Sequence, residues 1–227
     1  MIVKKPLPFT FKKEYICFNK KLIWRELRLG TPIALQEFLV GVSFMVIQTV
    51  VNSIDVTASA GVGVAEKVCA FIMLVPSAFS QAMSAFVAQN IGAGYKDRAL
   101  KALKCGILTS LSVAVIIGSF TFFRGNLLAS IFTKDLKVIE QAFQYLKAYA
   151  VDTFLTATLF CFIGYYNGCG KTLFVMLQGI AGAFCVRIPV TFLMSNLPGT
   201  TLFHIGLATP ASSVVQIVMC VIFMLYV

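Results

Sequence analysis

Charge is scarce in this sequence. Only 12% of the residues are Asp, Glu, Lys or Arg, about half the share that a soluble domain carries. Acids number nine, and histidine and tryptophan occur once each. At 59% hydrophobic residues over a length of 227, the apolar surface exceeds what one soluble core can hide. A mean hydropathy of +0.88 agrees, and lipid is the implied solvent for most of the chain. Other absences exclude function classes. No Cys-x-x-Cys pair occurs among Cys17, Cys69, Cys105, Cys161, Cys169, Cys185 and Cys220, so free buried thiols are expected rather than disulfides or a metal centre. No Ser-His-Asp set, H-E-x-x-H motif or cluster of metal ligands is visible, which argues against an enzyme and against any cofactor. The run "GYYNGCGKT" imitates a phosphate loop, but that motif needs glycine at the position of Tyr165, and no strand precedes it. The first 21 residues lack the apolar core and cleavage site of a signal peptide. They read as part of a basic cytoplasmic lead-in, 1–28, before a membrane unit spanning 29–227.

What the sequence does have is long apolar runs. About 20 apolar residues carry a helix across the hydrocarbon core. Six segments are long enough: roughly 30–53, 62–90, 102–123, 140–167, 172–195 and 203–227. Membrane barrel strands alternate over about ten residues, and these runs are continuous. The expected fold is all-α, a polytopic membrane protein built as a six-transmembrane-helix bundle. Its net charge of +10 does not signal nucleic acid, because the basic residues sit between apolar spans. They sort by side. Lys4, Lys5, Lys12, Lys13, Lys20, Lys21, Arg25, Arg28, Lys96, Arg98, Lys101, Lys104 and Lys171 flank one set of span ends, while Arg124, Lys134 and Lys137 flank the other. Thirteen against three places both termini in the cytoplasm of a plasma (inner) membrane.

An ionisable group inside a span is a functional candidate by default. Glu37 shares a stripe with Gly41, Phe44, Gln48 and Asn52 at 100° per residue. Such a face can line a cavity, although a Glu near an interface also snorkels. Asp152 lies mid-span with Tyr145, Thr156 and Tyr166 on its face and Tyr149 bordering it. Hydroxyls beside a carboxylate share a proton or bind a small cation through oxygen. The second span has a small-residue face, Ser77, Gln81, Ser84, Ala85 and Ala88, suited to close packing, with Gln81 a candidate ligand contact. Pro32, Pro76, Pro189 and Pro210 interrupt spans and allow bending. Arg187 either pairs with an acid or reaches headgroups. Glu66 and Lys67 lie near the start of the second span, and His204 borders the last one.

The stretches "GVGVAEKVCAFIMLVPSAFSQAMSAFVAQNIGAGYKDRALKA", "NGCGKT" and "VRIPVTFLMS" resemble the multidrug and toxic-compound extrusion family, in its bacterial branch. The likeness runs from about Arg25 to the C-terminus. Members of that family carry twelve spans in two six-helix lobes around a central cavity, and this chain resembles the second lobe only. The resemblance implies secondary active multidrug efflux, an antiport of Na⁺ or H⁺ against organic and often cationic compounds. It further implies a partner: a separate N-terminal lobe or a second copy. Asp152 matches the acid of the family's tenth span and Glu37 that of its seventh, which makes both candidates for cation or proton coupling. Three rival readings stand beside it. They are a lipid-precursor flippase, which needs a richly basic cavity; a non-transporting half-lobe that binds another membrane protein; and a homodimeric pore.

Overall fold

A computed structural model describes residues 18–226. Most of the expected lead-in, 1–17, lies outside the described residues. Eight α-helices follow: α1 (Lys20–Asn52), α2 (Val56–Gly92), α3 (Lys96–Ser130), α4 (Leu136–Gly168), α5 (Thr172–Ile180), α6 (Ile188–Ser195), α7 (Leu202–Gly206) and α8 (Ala208–Tyr226). A π-helical stretch, Ala181–Arg187, joins α5 to α6. By length and composition six units can cross a membrane, the fifth being Thr172–Ser195 and the sixth Leu202–Tyr226. Helices outrun the apolar runs. Backbone hydrogen bonding continues past the lipid-matched segment, so α1 begins at Lys20, within the basic lead-in, with Asn19 accepting from the Lys21 and Leu22 amides at 3.1 and 3.3 Å. Asp55 and Asp135 cap α2 and α4 the same way. Such side-chain acceptors satisfy amides that the first helical turn leaves free.

Two turns that the sequence marks with glycine share one geometry. Gly94 has φ +82° and Gly170 has φ +73°. After α2, the Tyr95 amide reaches back to the Asn90 carbonyl at 2.8 Å and the Gly94 amide to Ile91 at 3.0 Å. After α4, Lys171 reaches Tyr166 at 2.8 Å and Gly170 reaches Asn167 at 3.0 Å. This is the Schellman pattern, which needs a left-handed residue that only glycine adopts without a Cβ penalty. "QNIGAG" and "NGCGKT" are therefore stop signals for helices.

Helix α4 is the centre of the bundle and packs against α2, α3, α7 and α8, while α1 packs mainly on α5. Its most apolar 18-residue window is 61% buried, against 22% for α1 and for α3. Gly164 and Gly168, one turn apart, let α4 approach Ser80, Met83, Ser84 and Val87 of α2; the rest of the small-residue face expected to pack closely is turned away, with Gln81, Ala85 and Ala88 exposed. A Cβ on Gly168 would stand 2.7 Å from the Ser84 carbonyl oxygen and 2.7 Å from the Val87 Cβ. Small residues four apart permit this backbone approach where no hydrophobic force drives helices together. The prolines distribute unevenly. Pro32 and Pro76 lie inside continuous helices, Pro189 opens α6 just after the π-helical stretch, and Pro210 sits in the first turn of α8, where its missing N–H is least needed. The last span breaks at Leu207, between α7 and α8.

Candidate functional site

Mid-span polar residues converge on a cavity of about 450 Å³ bordered by α1, α2, α4, the π-helical stretch and α8. Asp152 lies in its wall at 1% exposure. Ser213 Oγ, from α8, donates to Oδ1 at 2.6 Å, and Thr156 Oγ1, one turn along α4, donates to Oδ2 at 3.0 Å. Each carboxylate oxygen thus holds one hydroxyl. No hydrogen bond links Asp152 to a cationic side chain among the described residues. An ionised carboxylate buried without a directly paired cation is costly; its two hydroxyl donors and the Arg187 charge in the same wall offset part of that cost. The oxygens of Asp152, Thr156 and Ser213 are the hard ligands that a small cation takes. Among the described residues no group of three or more His, Cys, Asp or Glu could hold a metal.

Glu37 borders the same cavity but is exposed, as is Gln81. Arg187, at 6% exposure, also lines it. It forms no direct ion pair with an acid among the described residues, although Asp152 of the same wall lies within its electrostatic reach. Its Nη1 donates to Ser43 Oγ of α1 at 3.1 Å, and its guanidinium carbon lies 4.5 Å from the centre of the Phe44 ring. The π-helical stretch that ends at Arg187 packs against α8. Ser212 Oγ donates to the Gly182 carbonyl at 2.8 Å, and Gln216 donates to Ser212 at 2.9 Å.

Other sequence candidates go elsewhere. Gln48 and Asn52 do not border this cavity. They stitch α1 to α2 near the connecting turn: Gln48 Nε2 donates to Asn52 Oδ1 and to Ser59 Oγ, both at 3.0 Å, and Ser59 donates to Asn52. The stripe from Glu37 to Asn52 is a single helix face covering about 22 Å, but the part of α1 that lines the cavity ends at Phe44, one turn short of Gln48. Tyr145 and Tyr149 line a second hollow of about 260 Å³ with Phe44, Glu66, Cys69 and Met73. Tyr166 donates to the Cys220 carbonyl at 2.7 Å, within an aromatic cluster with Phe174 and Phe223. His204 closes a capping box with Thr201 at the start of α7 and is exposed. Lys67 is exposed.

Comparison with known proteins matches residues 32–193 to the family model described as MatE. The chain belongs to the MatE family. It is 23% identical over 219 residues to the probable multidrug resistance protein YoeA of Bacillus subtilis, a match covering 95% of this chain and 47% of that protein. It is 26% identical over 196 residues to the multidrug export protein MepA of Staphylococcus saprophyticus, covering 85% of this chain and 42% of that protein. A crystal structure described as MATE in complex with MaL6 superposes with a TM-score of 0.86 at 13% identity, covering 99% of this chain and 51% of that one. The fold is therefore that of MATE membrane transporters, and the protein is a multi-pass membrane protein. The chain spans about half the length of the curated relatives it matches.

Within this MatE unit, the residues that sequence reasoning passed over are Ser213, Gln216, Gln36 and Ser43. The first two lie in "TPASSVVQ", a polar interruption of the last apolar run. Serine in a membrane helix commonly back-bonds to its own turn, so the run carries little positional signal. The π-helical stretch left none.

Proposed function

We propose that this MatE chain is one lobe of a cation-coupled exporter of organic compounds, working with a second six-span unit that is either a separate chain or a second copy. It resides in the plasma membrane with both termini cytoplasmic, as the thirteen-to-three division of basic residues favours. The observation that carries this reading is the buried carboxylate of Asp152, held by two hydroxyls in the wall of a cavity large enough for a drug-sized fragment. A Na⁺ ion or a proton moving down its gradient neutralises Asp152. That removes the cost of keeping a bare charge in a low-dielectric bundle and shifts the preferred arrangement of the helices. Coupling follows because the cation has different affinity for the two arrangements. Glu37, at the exposed border, takes up or releases the cation on its way. Organic cations compete with it for the same carboxylate. A lipid-precursor flippase is disfavoured, since among the described residues Arg187 is the one basic side chain lining the cavity.

The test is ethidium efflux from cells that lack their own exporters and carry the full chain with its second unit, under an imposed Na⁺ or proton gradient. Asp152→Asn is expected to abolish gradient-dependent efflux while the protein stays inserted at wild-type level. Unchanged efflux by the variant overturns the reading. Absence of efflux from the wild type favours a non-transporting assembly role.

A further inference from the structure

The helices around the cavity fall into two groups, and its two buried charges belong to different ones. Asp152 is on α4, which packs on α2 and α3, whereas Arg187 ends the π-helical stretch, which packs with α5 and α6 near α1. Helix α8 touches both groups through adjacent residues: Ser212 Oγ donates to the Gly182 carbonyl of the π-helical stretch, and Ser213 Oγ donates to Asp152. Neither charge is fully used. An ionised carboxylate has about four acceptor sites, and Ser213 and Thr156 fill two of those on Asp152. Of the five donor hydrogens on a guanidinium, one serves the neutral hydroxyl of Ser43, and Nε is buried without a partner. The remaining hold on Arg187 is the face of Phe44. Two-point contact with a carboxylate is stronger than a neutral hydrogen bond, yet Arg187 and Asp152 line one cavity with no hydrogen bond between them. Each lies in the field of the other. Snorkelling does not explain the position of Arg187, which lies eight residues from the end of α6, about 12 Å of helix. Charge on the lining argues in the same direction: one cation, Arg187, faces two acids, Asp152 and Glu37.

We infer that Arg187 is a tethered counter-ion for Asp152, held off by Ser43 and Phe44 while a cation neutralises the carboxylate and closing onto the carboxylate when that cation leaves. This role rests on the reading of Asp152 as the coupling acid. On closing, Nη1 gives up Ser43, and Nε–H with an Nη–H meets the two carboxylate oxygens, so the donor left without a partner here gains one. The planar fork of a guanidinium fits that contact, and an ammonium does not reproduce it. Because the pair joins the α4 group to the π-helical group, it fastens the cavity shut. A cation reopens it by taking the place of Arg187 at Asp152, and the two arrangements therefore differ in cation affinity, as coupling requires. An emptied lobe stays latched and does not pass cations in the absence of cargo. Arg187 is in this sense a positioning residue, acting through Asp152 rather than on the exported compound.

The Nε–H nuclear magnetic resonance signal of Arg187, identified by its absence in Arg187→Lys, reports the pairing. It is recorded on the purified full chain in lipid nanodiscs, first in acidic buffer with Na⁺ and then in alkaline buffer without it. Other ionisable groups lining this cavity and the neighbouring hollow are Glu37, Glu66, Cys69, Tyr145 and Tyr149, so Asp152→Asn is the control. The signal is expected to move between the two buffers in the wild type and to stay in place in Asp152→Asn. A second measurement follows Na⁺ and proton flux, without any organic cargo, in membrane vesicles carrying the full chain and its second unit. Arg187→Gln is expected to raise that flux about tenfold or more, and Arg187→Lys, which keeps the charge and loses the fork, about threefold or less. A signal that stays fixed in the wild type, or moves equally in Asp152→Asn, overturns the counter-ion. Flux in Arg187→Gln at the wild-type level, or equal leaks from the Gln and Lys variants, overturns the latch. A moving signal beside a wild type that exports no ethidium would count against the exporter reading and leave the counter-ion standing.

Discussion

Asp152 and Glu37 border one cavity, yet they live in different surroundings. Asp152 is at the middle of α4, the helix enclosed by α2, α3, α7 and α8, and two hydroxyls hold it in place. Glu37 sits on α1 at the rim, exposed and without a side-chain hydrogen bond among the described residues. Two acids of nearly equal chemistry are therefore unequal in what neutralisation is worth. Adding a positive charge to a carboxylate that no other helix encloses disturbs little of the packing, whereas adding one to an enclosed carboxylate changes which packing is preferred. Position relative to α4 separates the two.

The comparison can be broken most severely at the packing that encloses α4. Gly168→Leu drives a side chain into the Ser84 carbonyl and Val87. With backbone on the receiving side, it is expected to cost on the order of 3 kcal/mol, read as a large fall in the thermal midpoint of the detergent-solubilised protein and in membrane yield. Next in size is Asp152→Asn against Glu37→Gln in gradient-driven efflux. The first is expected to lose at least about tenfold and the second less than about threefold, following the greater penalty on buried charge. Equal losses would erase the distinction drawn between centre and rim. Ser213→Ala removes one hydroxyl from the enclosed carboxylate. A hydrogen bond to a charged group is worth about 1.5–3 kcal/mol, so a fall in the thermal midpoint equivalent to that amount is expected together with a loss of coupled efflux of about tenfold. Smallest is Gln48→Ala, which opens the stitch between α1 and α2 away from the cavity. It should lower the thermal midpoint by an amount equivalent to about 1 kcal/mol and leave gradient-driven ethidium efflux where it was.

The spans were legible because lipid imposes both length and apolarity on a helix, and six runs obeyed it. Asp152 was legible for the complementary reason: a short acid far from either interface stands out against apolar neighbours. Thr156, one turn on, could be read from helical spacing alone. The companions of Asp152 across the bundle could not. Ser213 is 61 residues away, and nothing in a single sequence pairs a serine in one span with an acid in another. Spacing along one helix also overreached. Gln48 and Asn52 do lie on the Glu37 face, but α1 is 33 residues long, and a cavity is shorter than a helix. Arg187 stayed ambiguous because its direction is set by a π-helical turn. Such a turn shifts the register of side chains by about one position, and a 3.6-residue wheel assigns the residue to the wrong face.

The matching ends of α2 and α4 have a mechanical corollary. The two helices stop in the same hydrogen-bonded hook, at Gly94 and Gly170, and the glycines of α4 lock their backbones together along the way. They form one stiff plank. Any rocking motion that preserves this seam turns the plank as a whole, with the loosened register at Ala181–Arg187 lying outside it.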